Sequence, residues 1–266
     1  MTLRARRWLP STDARAVVVV AHGLAEHSGR YEALATRLLE QGLATYAIDH
    51  RGHGRSGGAR ANIGRFGHVV EDFRGFVGRA AGEHPGVPLF VLGHSMGGAI
   101  AFASMPGLAG SLRGLVLSAP ALGVSPGQHV LRSALVRLLS VIAPGFGALQ
   151  LPAAAVSRDP AVVQAYEADP LVFRGAVPAR TIAELLGAMA GFRALAGEIH
   201  LPVLIQHGTA DTLVPLDAAA PIYNAIASSD CTVELYEGLF HEVYNEPERE
   251  RVIADLLAWL EGHLAA

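Results

Sequence analysis

One serine in this chain is easier to explain by chemistry than by structure. In LFVLGHSMGGAI (Leu89–Ile100), four apolar residues run into Gly93, His94 and Ser95, followed by Met96, Gly97, Gly98 and a second apolar run. A serine gains nothing from burial at such a seam, and glycines there cost backbone entropy. A Gly-x-Ser-x-Gly turn from a buried strand into a helix gives both a purpose. It holds the serine in strained geometry with its hydroxyl above the sheet, while the flanking glycines let the strand and helix backbones pass closely. Such a hydroxyl is a poor nucleophile until a base removes its proton, so the motif has meaning only if a base and an acid follow it.

Both do, in the order this geometry requires: serine, acid, histidine, each beyond the end of a later strand. The apolar run Val203–Gln206 leads into HGTADTLV, which places Asp211 in the loop beyond it. The run Thr232–Tyr236 leads into EGLFHEVYNEP, which places His241 in the loop before the last helical segment. Asp217 and Asp230 compete for the acid, but Asp217 falls at a helix start, where the dipole favours a carboxylate, and Asp230 precedes its strand. Among the twelve histidines, His207 precedes the aspartate and His263 suits a helix C-terminus. His22 and His94 adjoin the reactive loops and read as structural. The oxyanion of an acyl-transfer intermediate needs amide donors. One is the Met96 N–H, after the serine; the other is the Leu24 N–H, in the His22-Gly23-Leu24 loop after the run Ala16–Ala21.

Other chemistries are excluded or disfavoured. All 21 basic residues are arginine, which removes Schiff-base, P-loop and Ser-x-x-Lys mechanisms. No HExxH or other zinc spacing occurs, and no cofactor is called for. Gly52-His-Gly54-Arg-Ser-Gly57 fits GxGxxG, with Glu71 and Asp72 downstream, but the GARANIGRFG that follows has no helical period, whereas a dinucleotide fingerprint opens a helix at once.

The elements that must position these residues alternate. Short apolar runs at Ala16–Ala21, Ala44–Ile48, Leu89–Leu92, Gly114–Leu117, Val203–Gln206 and Thr232–Tyr236 suit parallel strands buried on both faces. Helical patterns lie between them at Tyr31–Gln41, Val69–Glu83, Gly97–Met105 (ending before Pro106), Leu216–Ala227 and Pro247–Leu264. The expected class is α/β, with a mostly parallel central sheet flanked by helices. Residues 1–119 and 200–266 form that core. Residues 120–199 interrupt the alternation with helical patterns and read as a helical cap. Its first helix, 129–143, is nearly all apolar; Arg132, Ser133, Arg137 and Ser140 share one side, which leaves a face wide enough for a tunnel, lipid or a second subunit. With 51% hydrophobic and 17% charged residues, the chain can fill such a core. A net charge of −3 without a basic block argues against nucleic acid. A single cysteine, Cys231, no signal-peptide pattern and no transmembrane run lead to a cytoplasmic expectation, with peripheral membrane contact left open.

HGLAEHSGRYEALATRLLEQGLATYAIDHRGHGRSGG, VLGHSMGGAIAF, VLIQHGTADTLVP and YEGLFHEVYNEPE together resemble the monoacylglycerol lipase group of the α/β-hydrolase superfamily, its bacterial members especially. The similarity runs from about residue 16 to 262 and includes SRDPAVVQAYEADPL in the cap. The resemblance implies a Ser95–Asp211–His241 triad, Leu24 and Met96 as oxyanion donors, and an acylglycerol or related lipid ester as substrate. It also implies a glycerol pocket at Glu26, Arg30 and Tyr166. Glu26 and Arg30 are spaced to form a local ion pair as well. Tyr244, which stands where mammalian members carry a further histidine, is a further substrate-binding candidate. Lysophospholipase or broad carboxylesterase activity fits the same triad. An aminopeptidase and a non-catalytic binding protein are more distant alternatives, and a homodimer is compatible with the cap.

A fluorophosphonate should label Ser95 alone, and Ser95→Ala should abolish both labelling and ester hydrolysis, since losing a triad nucleophile costs on the order of 10⁶ in turnover. Peptide mapping of the labelled protein checks this; a different labelled residue or an active variant contradicts it.

Overall fold

A computed structural model of the chain describes residues 1–125 and 130–264, with the side chains of the helix that begins at Val130 described from Leu135 onward. Its strands are β1 (Arg4–Trp8), β2 (Ala16–Ala21), β3 (Leu43–Asp49), β4 (Leu89–His94), β5 (Gly114–Ser118), β6 (Gly147–Leu149), β7 (Val177–Pro178), β8 (Val203–Gly208) and β9 (Cys231–Tyr236). Seven of them form one sheet in the order β1-β3-β2-β4-β5-β8-β9. Every pair is parallel except β1 with β3. Residues of β2, β3, β4, β5 and β8 are buried throughout, which is why their sequences do not alternate.

Helices cover both faces. Leu34 and Leu38 of α1 (Glu32–Glu40) and Val252, Leu256 and Trp259 of α8 (Arg249–Gly262) pack on one side. Phe73 of α2 (Phe66–Glu83), Ile100 of α3 (Met96–Leu108) and Ile222 of α7 (Leu216–Tyr223) pack on the other. Between β5 and β8 the described chain adds no strand to this sheet. It holds α4 (Val130–Ile142), α5 (Pro160–Ala168), α6 (Ala179–Ala196) and the β6–β7 ladder. Helix α6 also reaches into the core, where Phe192 packs edge-on against Phe102, ring centroids 5.4 Å apart.

Several elements differ from the expectations. Strand β1, RARRW, was not foreseen: its residues are largely exposed, so no apolar pattern marks it, and its arginines suit an edge that must not pair with other chains. The β6–β7 ladder is too short to show a period. Helix α3 continues through Pro106 to Leu108, because a proline in the last turn forgoes only one ladder bond. Helix α7 ends at Tyr223 instead of running to 227. The start of the expected 129–143 helix at His129, and the side chains of Arg132 and Ser133, lie outside the described residues.

Glycine is required where α3 leaves the sheet. A Cβ on Gly97 would collide with the Ala21 carbonyl of the neighbouring strand, and one on Gly93 with the Gly97 carbonyl. Gly97→Ala should therefore lower the melting temperature sharply or prevent folding, since overpacking against backbone costs about 1–3 kcal/mol or more. Gly187, inside α6, is the control, because a methyl group there would meet nothing within 4 Å. Gly187→Ala should stabilise by roughly 0.5–1 kcal/mol. Thermal denaturation of the two variants makes the comparison; equal effects contradict the packing argument.

Candidate active site

Ser95 is the one residue between β4 and α3, with φ 54° and ψ −120°. A non-glycine residue in this region costs about 1–3 kcal/mol and persists only where its surroundings hold it. Here the Ser95 N–H donates to the Ser118 carbonyl at 3.0 Å, and the Ser95 carbonyl accepts from Ala99 N at 3.1 Å and Ala121 N at 3.0 Å. The turn is thus tied to β5 and to the chain that leaves it.

Asp211 lies past the end of β8 and is buried. Its Oδ1 accepts the Leu213 and Val214 N–H groups at 2.8 and 2.9 Å, and its Oδ2 accepts His241 Nδ1 at 2.7 Å. Burial alone would raise its pKa, but His241 and the hydrogen bonds outweigh this and hold it well below the usual carboxylate range. Burial would likewise lower the His241 pKa; the Asp211 carboxylate prevails and holds it above 6.5. An ionised carboxylate can only accept, so Nδ1 of neutral His241 carries the proton and Nε2 keeps its lone pair. The His94 ring lies 4.6 Å from that of His241. Burial, and then the nearby His241 charge, depress its pKa to about 4, so His94 stays neutral and does not oppose an imidazolium at His241.

Ser95, His241, Leu24 and Met96 line one cavity of about 690 Å³. No hydrogen bond joins Ser95 Oγ to His241; such contacts commonly tighten only around substrate. Among the described residues, neither the Leu24 nor the Met96 N–H donates to a protein acceptor. Much of the wall is apolar and comes from the segment between β5 and β8, including Val136 of α4, Leu151, and Ile182, Leu186 and Met189 of α6.

The same cavity has a polar corner. Glu26, Tyr166 and Glu242 line it. Glu26 Oε1 accepts the Tyr31 hydroxyl at 2.8 Å and the Gly23 N–H. Arg30 stands behind, donating to Glu26 Oε2 at 3.1 Å and forking onto both oxygens of Glu242, with Nη2 to Oε2 at 2.7 Å. Its guanidinium sits 4.8 Å from the centre of the Tyr166 ring. The Glu26 and Arg30 side chains are only 5% and 10% exposed, so they do not form the marginal surface pair that their spacing alone suggests. They belong to a buried three-residue network. Burial opposes charge on both Arg30 and Glu242, yet mutual attraction raises the former's pKa and lowers the latter's. Burial, then Glu26 and Glu242, push the Tyr166 phenol up to about 12.

Tyr244 lies elsewhere. It does not line the main cavity; its hydroxyl donates to Gln206 Oε1 at 2.5 Å, and with Arg30 it borders a separate void of about 20 Å³, room for about one water. Of the competing acids and bases, Asp217 accepts the Ser125 hydroxyl at 2.9 Å, Asp230 pairs with His263 at 3.0 Å, and His207 bonds Tyr223 and Val214. The Gly52–Gly57 segment is a loop. The carboxylate of Asp49 accepts the Ser28 and Arg55 N–H groups beside it, and the next helix begins only at Phe66. Glu242 went unforeseen. It adjoins His241, but nothing local announces a partner 212 residues away.

Residues 12–248 match the family described as "Serine aminopeptidase, S33" (Hydrolase_4). The chain is 45% identical to a protein of Mycolicibacterium smegmatis named monoacylglycerol lipase, over 97% of this chain and 92% of that one. It is 32% identical to the human protein named monoglyceride lipase, over 98% and 87%. A crystal structure of the Paleococcus ferrophilus monoacylglycerol lipase superposes with a TM-score of 0.88 at 30% identity, covering 99% of this chain and all of that one. The chain belongs to this α/β-hydrolase family.

If Asp211 orients His241, Asp211→Asn should lower kcat by about 10⁴, because the amide favours the wrong imidazole tautomer. Asp217→Asn should be mild. Wild-type kcat/KM should fall as the pH drops through a value above 6.5, where His241 takes up its proton. In Asp211→Asn that limb should move to lower pH, since the raising charge is gone. pH–rate profiles of both variants decide; a larger loss at Asp217 contradicts the assignment.

Proposed function

We propose that this hydrolase cleaves monoacylglycerols to a fatty acid and glycerol through an acyl-enzyme on Ser95. The observation that carries the reading is the shape of one cavity. It has an apolar, cap-roofed wall, a buried carboxylate–guanidinium corner, and Ser95 and His241 on its lining, with Asp211 bonded to His241 from behind. The names of the relatives above support the substrate class.

In this reading Ser95 Oγ attacks the ester carbonyl carbon while His241 Nε2 takes its proton. Asp211 holds the resulting imidazolium, and the Leu24 and Met96 N–H groups receive the oxyanion. Collapse expels glycerol, protonated by His241. Water then attacks the acyl-enzyme, activated by the same imidazole, and frees the fatty acid and Ser95. The acyl chain occupies the apolar wall. The glycerol hydroxyls meet Glu26 and Tyr166, with Arg30 and Glu242 fixing their positions. A site built around a hydroxyl penalises substrates that lack one, because a buried polar group left unpaired costs about 1–3 kcal/mol.

The cap gives the reading a second part. Leu138, Val141 and Ile142 of α4 are 56%, 72% and 68% exposed, next to Phe146 at 54%. No described helix is long and apolar enough to cross a membrane. This apolar face instead rests on a lipid surface, from which the substrate enters beneath the cap.

A panel of monoacylglycerol, diacylglycerol, triacylglycerol, lysophospholipid and aminoacyl amide should show the highest kcat/KM on the monoacylglycerol; preference for a lysophospholipid or an amide overturns the substrate class. Glu26→Gln and Tyr166→Phe should each cost about tenfold in kcat/KM on that substrate, the scale of one unpaired group, and much less on a p-nitrophenyl ester of the same acid. Arg30 is unsuited to this test, since removing it strands two buried carboxylates at about 3–5 kcal/mol. Leu138→Ser with Val141→Ser should weaken sedimentation with phosphatidylcholine vesicles while leaving the soluble ester's turnover intact. A change in oligomeric state instead would assign the face to a second copy.

A further inference from the structure

We propose that His22 is a positioning residue for the oxyanion hole, acting through the Gly23–Leu24 peptide group. The inference rests on the acyl-transfer reading above, since it assigns a role to the loop that would carry the Leu24 donor.

His22 follows β2 and is fully buried. Its Nε2 accepts the His50 N–H at 2.9 Å, and its Nδ1 lies 2.8 Å from the Gly23 carbonyl oxygen. A backbone N–H can only donate and a carbonyl can only accept. The neutral imidazole, with one proton to place, therefore carries it on Nδ1 and donates it to Gly23. Burial, the largest influence, depresses the pKa of this ring to about 4, which keeps it neutral in the working range. The rings of His50 and His53 lie 4.3 and 5.4 Å from it and hold the imidazole in place.

The consequence lies in peptide geometry. The Gly23 carbonyl and the Leu24 N–H belong to one planar trans unit and point in opposite directions. A carbonyl held towards His22 turns the Leu24 N–H the other way, and Leu24 borders the cavity with Ser95. The preceding peptide is held as well, because the Gly23 N–H donates to Glu26. The donor is thus aimed before substrate arrives, which is the condition under which such donors stabilise a transition state most. His22 touches no reacting atom; it acts only through this peptide.

Two near-isosteric variants separate this role from simple packing. Asparagine places a donor nitrogen one bond from Cγ, where Nδ1 sits; leucine has the same branching and no donor. The probe is a long-chain alkyl trifluoromethyl ketone, which Ser95 Oγ attacks to give a tetrahedral alkoxide, its proton passing to His241. A monoalkylglycerol ether, which cannot react, reports ground-state binding. His22→Leu should weaken inhibition by the ketone about 10–100-fold, somewhat less than losing an oxyanion donor outright. Its kcat should fall in step, with KM and ether binding unchanged. His22→Asn should recover most of the loss. Wild-type ketone affinity in His22→Leu, or equal losses for ketone and ether, overturns the proposal. Equal ketone affinity in wild type and Ser95→Ala would instead refute the acyl-transfer reading beneath it. If neither His22 variant folds, nitrogen-15 spectra of the wild type decide: a proton on His22 Nδ1 is expected, and a proton on Nε2 overturns the proposal.

Discussion

The rest of the site depends on one strained residue. Ser95 holds φ at 54° because three backbone hydrogen bonds tie the turn to its neighbours, and because glycines on either side let α3 leave the sheet without colliding with β2. The strain lifts the side chain out of the buried layer, since a relaxed strand or helix would leave the hydroxyl among apolar residues. A parallel sheet supplies what must meet it. In such a sheet the loops beyond the strand ends share one edge, so the segments after β2 and β9 bring Leu24 and His241 to the same cavity, and the segment after β8 brings Asp211 against His241, without any nearness in sequence.

Buried charge is the second constraint. Asp211, Glu26, Arg30, Glu242 and His241 sit where an isolated charge would cost several kcal/mol, and each has a partner. Asp211 spreads its charge over two backbone donors and His241. Arg30 serves two carboxylates and lies against an aromatic face. The arrangement also ties separate parts of the chain together. The loop after β2 meets the loop after β9 through Arg30 and Glu242, and the cap joins the latter through the Glu242 N–H on the Val156 carbonyl and Arg158 on Glu246. The segment between β5 and β8 is therefore tied to the loop after β9, while Leu138, Val141 and Ile142 of α4 stay exposed. On the proposed reading, specificity and access are divided between two regions with different physical demands.

The sheet was legible wherever burial on two faces left an unbroken apolar run, as in β2 and β4. It was illegible in β1, where an exposed edge carries arginines, and in β6 and β7, which are too short to hold a period. The turn at Ser95 could be read because its glycines answer a steric need within five residues. Asp211 and His241 could be placed because strand ends imply a position, and the structure joins them at 2.7 Å. Glu242 could not, since its meaning comes from Arg30 across the fold. The two bonds of His22 were hidden too: residue type shows a titratable ring, not which neighbour each nitrogen meets. Local constraints leave local signatures, and networks closed by the tertiary fold do not.

On the proposed reading, a monoacylglycerol passes through a covalent acyl intermediate on Ser95. Mixing the protein with a long-chain monoacylglycerol, quenching in acid within the first turnover and mapping the digest by mass spectrometry tests it directly. The peptide carrying Ser95 should gain the mass of the fatty acid less water, and the adduct should decay as fatty acid appears. Fatty acid released with no adduct on that peptide, or an acyl group on another residue, would contradict it.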